Sequence, residues 1–523
     1  MTSSQEPFTL KRLFAWIENN RFSILLFLGL FLHGASLGLS DDEAYYWVLA
    51  QKPALGYAYH PPLVAWVIFL FQKVLGPLWG ENSAWVVRLP AILCTSLVFS
   101  MSLKWISETR GDHSLKSSSS VISWVILSFF GLFFLGGWMM VPDLPLLFGW
   151  MITFMATWRV SFSSAKKSEF FVLGIGAAVL ILSKFSGILA IFSSLICLWV
   201  WAEREKFWKG FFALSLGLLI GILPILIWNY QHEWGAILYQ IQGRHSGGHV
   251  SWIRFFRFLL AQLLLAGPVL FVFLGGMFWK FSQSMWNLRN SRPSTHELPW
   301  LNYLMIWILP GLLVFFIQPL FSEFKLHWSA VVWWPTLLGF AVSVDRQRVT
   351  AFSQSVMWHI GYGLSLGFFI LVSCHLPVVS ALGEWVKGES FDPRIDVTHD
   401  FYGWSELASR MKEELSHEDL ALPVTASRYQ TAAQASFAFK GKAQVTLLPR
   451  DLKAQDEWPS LGVSSTEGPT WPRLTQSVLY VLDQRYVEEP HYEGASCERL
   501  KRFEFKRWNY SSKWIEIWKC RPQ

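Results

Sequence analysis

Long apolar runs recur along most of this chain, and no other feature constrains its fold as strongly. A helix needs about 20 mostly apolar residues to cross a bilayer. Such runs lie near residues 22–39, 84–104, 119–138, 142–158, 169–184, 186–202, 210–228, 256–279, 300–319, 327–344 and 355–379. The sequence therefore predicts an α-helical polytopic membrane protein with about eleven transmembrane helices, the first of them retained rather than cleaved as a signal peptide.

The composition agrees with a membrane protein. The 523 residues are 52% hydrophobic and 15% charged, whereas a soluble domain carries about 25% charged residues. The net charge of +7 raises the question of nucleic-acid binding, but the basic residues lie mostly in short loops between apolar runs. That distribution is typical of membrane topology, so no nucleic acid is predicted as a partner.

The basic residues also predict which loops face outwards. With the N-terminus inside, the inner loops hold most lysines and arginines and the outer loops hold few, as the positive-inside rule requires. The acidic stretch after the first run, Asp143, Lys184, the loop 229–254 and "FKLHW" at 324–328 then share the outer face. The chain after residue 380 lies on that face too.

The composition changes near residue 384. "LPVTAS" and "SVLYVLD" read as strands, "TAAQASFAF" as a helix, and "FEFKR" with "KWIEIWKC" as a hairpin. We predict a transmembrane domain at 1–383 and a small α/β soluble domain at 384–523. Cys497 and Cys520 would form a disulfide in an oxidising compartment, and the sequence leaves this open. The run "PPLVAWVIFLFQKVLG" is short for a span and predicts a helix that lies at the interface or re-enters it.

The first outer loop begins with "SDDE" at residues 40–43. Ser40 and Glu43 have the spacing of a helix-capping box, and acidic residues in a first turn also suit the helix dipole. These structural roles account for Glu43 and one aspartate. One carboxylate remains in excess at the outer membrane edge, which favours a functional role.

Further charged residues are predicted on the same face. Asp143 starts a span between two prolines, where a helix start alone would explain it. Lys184 interrupts a long apolar stretch, where a snorkelling lysine is the alternative to a ligand-binding one. Other candidate cations are His60, Arg244, His245, Lys325 and His327. Together they predict a phosphate site bordered by carboxylates, as a lipid-linked sugar phosphate would need.

Several stretches resemble the GT-C glycosyltransferases of the ArnT and protein O-mannosyltransferase group, of the glycosyltransferase family 39 type. They are "DDEAYYWVLAQ", "YHPPLVAW", "VPDLPLLF", "LSKFSG", "PILIWNYQHEW", "KLHW" and "GWSELA". The resemblance covers roughly residues 20 to 440. It implies a multi-pass enzyme with an outer-facing active site. With the charge pattern, this predicts a protein of the bacterial inner membrane whose active site and C-terminal domain face the periplasm. The resemblance also implies a polyprenyl-phosphate sugar donor, a lipid or protein acceptor and an inverting transfer.

The resemblance assigns roles to individual residues. Asp42 matches the catalytic aspartate, which would act as general base, and Asp143 matches the second acidic motif. His60 departs from the family, because it stands where ArnT-type enzymes have a lysine that contacts the lipid phosphate. The predicted catalytic residues are Asp42, Glu43 and Asp143, and the predicted substrate-binding residues are Tyr57, Tyr59, His60, Lys184, Arg244, His245, Lys325 and His327.

Two other functions compete with the glycosyltransferase. A polyprenyl-linked lipid transporter or flippase would place charged groups in the middle of its spans, whereas this chain gathers them at one edge. A non-catalytic envelope lipid-binding protein would keep the cations without needing Asp42 and Asp143 together. The sugar and the acceptor (lipid A, another glycolipid, a glycan or a protein) stay open. So does a divalent cation between the carboxylates.

Overall fold

The computed structural model describes residues 10–80, 83–111, 118–133, 137–163, 165–238, 240, 249–290, 299–344, 351–387, 392–443, 445–447, 473–486 and 489–523. Helices dominate this part of the chain up to residue 387. They are α1 (Leu10–Ala35), α2 (Asp41–Gln51), α3 (Leu63–Trp79), α4 (Ala84–Arg110), α5 (Ser118–Phe133), α6 (Asp143–Phe162), α7 (Lys167–Ser183), α8 (Ile188–Trp201), α9 (Arg204–Gln231), α10 (Gly235–Leu238), α11 (Trp252–Ala266), α12 (Pro268–Asn290), α13 (Pro299–Ile317), α14 (Ala330–Ser343), α15 (Ala351–His375) and α16 (Val378–Lys387).

Apolar helices of spanning length are present. Among the described residues, four helices could cross a membrane by length and composition: α4, α9, α15 and α13 with the short turn that follows it. The protein therefore has the predicted helical membrane architecture, while the count of about eleven spans stays a prediction. At residues 63–79 a helix, α3, is confirmed, and its place at the interface or as a re-entrant segment stays a prediction.

One predicted span is sharply bent rather than continuous. The run 256–279 forms two helices, α11 and α12, which meet at an angle of 107°. Gly267, between them, has a φ of +82°, in the left-handed region that glycine adopts without strain. Pro268 follows, and its missing N–H prevents it from continuing the preceding helix. The local backbone chemistry therefore breaks a run that hydropathy alone reads as continuous.

Close helix contacts and buried aromatic rings hold the membrane domain together. At Gly217 of α9, a Cβ atom would lie 2.0 Å from the carbonyl oxygen of Gly174 on α7, so only glycine permits this approach. Deeper in the domain, the Phe154 ring meets those of Tyr303 and Trp307 at centroid distances of 5.0 and 5.2 Å. These contacts hold α9 against α7 and α13 against α6, the two helices beside which Asp143 and Lys184 lie.

The C-terminal part forms an α/β domain, as the sequence predicts. It contains α17 (Trp404–Glu414), α18 (His417–Leu420), α19 (Tyr429–Ala438), β1 (Val424–Ala426), β2 (Val445–Leu447), β3 (Val478–Asp483), β4 (Ala495–Arg507) and β5 (Tyr510–Pro522). The sheet order is β2-β1-β3-β5-β4, with β1 parallel to β2 and β3, and β5 antiparallel to β3 and β4. Cys497 and Cys520 pair across β4 and β5 and are joined by a disulfide, which decides the question the sequence left open.

This domain packs onto the first outer helix. The ring of Phe437 on α19 meets that of Trp47 on α2 at 5.2 Å, and Gln434 Nε2 donates to the Leu39 carbonyl at 2.9 Å. The exact boundary at residue 384 stays a prediction, and α16 runs across it. The contact brings C-terminal side chains next to the acidic motif.

Candidate active site

The capping box at the start of α2 is confirmed. Ser40 Oγ accepts a hydrogen bond from the Glu43 amide at 3.3 Å, and Glu43 Oε2 accepts one from the Ser40 amide at 3.0 Å. These bonds satisfy backbone N–H groups that a helix start otherwise leaves without partners. They fix the orientation of the first turn, which carries both aspartates.

Glu43 points into the helix packing, whereas Asp42 is exposed. The Glu43 carboxylate is fully buried and receives Arg88 Nη2 at 2.7 Å and Nε at 2.8 Å. The same guanidinium donates to three carbonyl oxygens at the end of α1, those of Gly34, Leu37 and Gly38. The predicted catalytic role of Glu43 therefore has no geometric support, because its partners tie it into the scaffold. A lone arginine in the apolar run 84–104 was a signal for this role, since buried charges need partners.

The two aspartates of the motif face different surroundings. One residue step turns an α-helix by about 100°, and Asp42 is exposed while Asp41 is buried. Asp41 points into the C-terminal domain. Asp42 points into an open recess, where the Tyr429 hydroxyl of α19 donates to its Oδ1 at 3.3 Å. Asp42 is thus the excess carboxylate that the sequence predicts, and Tyr429 is a neighbour that no sequence pattern indicated.

The recess favours the protonated form of Asp42. Its side chain reaches solvent, yet protein surrounds it on most sides, and this burial raises the pKa of Asp42 above its ordinary value. Lys325 opposes the rise, whereas the carboxylates of Asp41 and Asp143 add to it. A carboxylate with a raised pKa is a stronger base when ionised.

Asp143, Lys184 and His327 form one cluster. Lys184 Nζ donates to Asp143 Oδ1 at 2.8 Å, and His327 Nε2 lies 3.7 Å from Asp143 Oδ2. Asp143 is the first residue of α6 and Lys184 follows the last residue of α7, so two helix ends meet here. Lys184 also lies over the Trp328 ring at 5.3 Å. The structure therefore brings together three predicted residues that are far apart in sequence.

His60 borders this cluster, whereas Tyr57 and Tyr59 have mainly structural contacts. His60 Nε2 lies 3.2 Å from the Tyr46 hydroxyl, and its charge acts on Asp143. Tyr57 is buried, and its hydroxyl donates to the backbone carbonyls of Leu49 in α2 and of Lys52 just after it. The Tyr59 carbonyl accepts from Gln240 at 3.1 Å. Tyr57 and Tyr59 therefore help to shape the loop that carries His60.

Two predicted substrate-binding residues lie outside the residues that the structure describes, and the described residues form no evident metal site. Arg244 and His245 fall within the undescribed residues 241–248. Within the described ranges, no group of three or more histidine, cysteine, aspartate and glutamate side chains is arranged to hold a metal ion. The described site thus consists of a carboxylate in a recess beside a cationic cluster.

Comparison with known proteins agrees with this architecture. Residues 59–228 match the family described as dolichyl-phosphate-mannose-protein mannosyltransferase. The chain is 25% identical over 308 residues to the lipid A galacturonosyltransferase RgtD of Rhizobium johnstonii, which covers 56% of this chain and 58% of the relative.

The fold is that of ArnT from Cupriavidus metallidurans. The apo structure of that protein matches with a TM-score of 0.60, and its undecaprenyl phosphate complex with 0.61. Each match has 12% sequence identity and covers 96% of this chain and 98% of the other. The sequence matches and the shared fold together support a GT-C membrane protein of the glycosyltransferase family 39 type.

Proposed function

We propose that this protein is a membrane glycosyltransferase that moves a sugar from a polyprenyl-phosphate donor to a glycolipid acceptor, with inversion at the sugar carbon. One observation carries the proposal. Asp42, an exposed carboxylate in a recess, lies within electrostatic reach of Lys325 and of the Asp143 carboxylate that holds Lys184. The base and the anion site that such a transfer needs are therefore neighbours.

The chemistry follows from these positions. Asp42 removes the proton from the acceptor hydroxyl while the hydroxyl oxygen forms a bond to the anomeric carbon. The bond from that carbon to the phosphate oxygen breaks, and the electron pair leaves with the polyprenyl phosphate. Lys184, and His327 when protonated, stabilise the charge on the departing phosphate. A positioned base typically contributes about 10²- to 10⁴-fold to the rate.

The similar proteins narrow the substrate classes. ArnT from Cupriavidus metallidurans has been crystallised with undecaprenyl phosphate, and the relative from Rhizobium johnstonii is named for lipid A galacturonosylation. We therefore propose an undecaprenyl-type donor and a lipid A-like acceptor, at the periplasmic face of a bacterial inner membrane. The positive-inside charge pattern supports that orientation.

Mass spectrometry of cell-envelope glycolipids and glycoproteins, with and without the gene, would identify the sugar and its attachment point. In the strain lacking the gene, Asp42→Asn is expected to leave the modification absent although the protein reaches the membrane. Asp392→Asn removes a partly exposed carboxylate that is paired with Arg394, and it should restore the modification fully. If Asp42→Asn restores as much product as the wild type, Asp42 is not the base.

A binding measurement tests the phosphate site separately. Native mass spectrometry of the purified protein with undecaprenyl phosphate should show about tenfold weaker binding for Lys184→Met, because a charge-assisted contact is worth about 1.5–3 kcal/mol. Lys206 lies in the first turns of α9, beyond the end of α8 that is far from Lys184, and it is paired with Glu203. The Lys206→Met variant should bind undecaprenyl phosphate as the wild type does. Equal binding by both variants would contradict a phosphate site at Lys184.

A further inference from the structure

Asp41, the buried neighbour of Asp42, is bound by two side chains of the C-terminal domain. Arg485 Nη2 lies 3.1 Å from Asp41 Oδ2, and Gln434 Nε2 donates to Asp41 Oδ1 at 3.0 Å. Arg485 lies two residues after the end of β3, 444 positions along the chain from Asp41. The first turn of α2 is therefore fastened to the C-terminal domain at the position next to Asp42.

Other side chains of the C-terminal domain also fix the orientation of Arg485. Asp483 receives its Nη2 at 2.7 Å, and Asp400 contacts its Nη1. Lys513, which is fully buried, stands 3.9 Å from Asp483. A planar guanidinium held by the side chains of Asp483 and Asp400 has little freedom to turn, so it presents its remaining N–H groups to Asp41 in one orientation.

We propose that Arg485 is a positioning residue for transfer: by binding Asp41 it holds the first turn of α2 so that Asp42 faces the acceptor hydroxyl. The proposal rests on the proposed function of Asp42 as the base. It makes the C-terminal domain a working part of the membrane active site.

The arrangement also controls the charge next to Asp42. The groups that act on Asp42 are Asp41 on its own helix, Tyr429 on α19, Asp143 on α6 and Lys325. In the wild type, the guanidinium offsets the charge of Asp41. Without it, the carboxylate of Asp41 would act on Asp42 uncompensated and would raise the pKa of Asp42 further.

The test is the pH dependence of transfer by the full-length Arg485→Gln variant. Permeabilised membranes would be incubated between about pH 5 and pH 8.5, and the glycolipid product would be measured by mass spectrometry. The acidic limb of the pH–rate profile, which reports the ionisation of Asp42, should move up by about one pH unit. At a fixed pH on the acidic side of that limb, the rate should then be about tenfold lower. Binding of undecaprenyl phosphate should not change. Asp41→Asn combined with Arg485→Gln removes both charges and should return the limb toward its wild-type position.

Arg499→Gln is the matched control. It removes an arginine of the same domain that pairs with Glu516 on β5, and it should leave the pH profile unchanged. A purely structural role of Arg485 would lower the amount of folded protein without moving the limb.

Two outcomes distinguish an error in the positioning role of Arg485 from an error in the proposed function. If Asp42→Asn is inactive while Arg485→Gln keeps the wild-type profile and rate, the positioning role is wrong and the proposed function stands. If Asp42→Asn is fully active, the proposed function itself fails. If Arg485→Gln does not fold, the Arg485→Lys variant tests the positioning role instead. It keeps the positive charge but loses the planar guanidinium that binds Asp41 in a fixed orientation. It should keep the limb and lose about threefold or more in rate, and an unchanged rate would overturn the proposal.

Discussion

Replacing Arg88 by methionine would remove the cation that braces the start of α2. Both the Arg88 and Glu43 side chains are fully buried. The five N–H groups of the guanidinium are all engaged, by both Glu43 oxygens and by three carbonyl oxygens of the α1–α2 connection. Methionine keeps a similar apolar stem against the Trp138 ring, over which the guanidinium lies at 4.3 Å. The substitution therefore tests the charge and its hydrogen bonds more than the packing.

The expected loss follows from the orphaned partners. Removing one member of a buried ion pair costs about 3–5 kcal/mol, because the other charge stays buried without a partner. Each carbonyl left unpaired in the interior adds about 1–3 kcal/mol, although such losses overlap. We expect Arg88→Met to lower the free energy of unfolding by about 5 kcal/mol. Glu43→Gln combined with Arg88→Met should cost less than the sum of the two single changes.

Thermal unfolding of the detergent-solubilised protein measures the effect. Arg88→Met should lower the apparent Tm by at least about 5 °C. The control is Arg159→Met, which breaks a partly exposed pair with Glu108 at 2.8 Å. A pair of that kind is worth about 0–1 kcal/mol. If both variants lower the apparent Tm by the same amount, burial does not set the strength of the Arg88–Glu43 pair, and the reasoning is refuted.

Two further predictions concern helix packing and pH. Gly217→Ala would place a Cβ 2.0 Å from the Gly174 carbonyl oxygen. Thermal unfolding should show that it lowers the free energy of unfolding by about 1–3 kcal/mol. Gly275→Ala is the control and should leave the stability unchanged, because open space surrounds that position. Burial, followed by repulsion from Asp41, raises the pKa of Asp400 from 3.8 to about 7. The folded protein then holds a proton that the unfolded chain has released, so this stabilisation is present below about pH 4 and is lost as the pH rises through about 7. Asp400→Asn should therefore flatten the fall in Tm over that range, and an unaltered pH dependence would contradict the assignment.

Local patterns predicted much of the fold because their causes are local. Hydropathy over about 20 residues is sufficient to indicate a spanning helix, and the spacing of Ser40 and Glu43 is sufficient to indicate a capping box. The strands β1 and β3 and the terminal hairpin were equally readable from alternation and residue type, whereas β2 was not predicted. The bend within the run 256–279 could not be predicted, because hydropathy is insensitive to the positive φ that Gly267 adopts.

The candidate site was only partly predictable. Asp42, Asp143, Lys184 and His327 could be listed from residue type and sidedness, but their mutual distances could not, because helices distant in sequence carry them. The role of Glu43 depended on its partner Arg88, which lies on another helix. Sequence patterns gave no indication of Tyr429, because nothing local marks a soluble-domain tyrosine as the neighbour of a membrane-edge carboxylate.

The sequence by itself determined that the chain enters a membrane, that its acidic motif starts a helix, and that cations are in excess on the predicted inner side. Only the tertiary structure decided which aspartate of that motif faces the recess and which faces the C-terminal domain. The reason is that helical rotation separates adjacent side chains by about 100°. Their environments are then set by residues such as Arg485, which chain folding brings into contact across 444 positions.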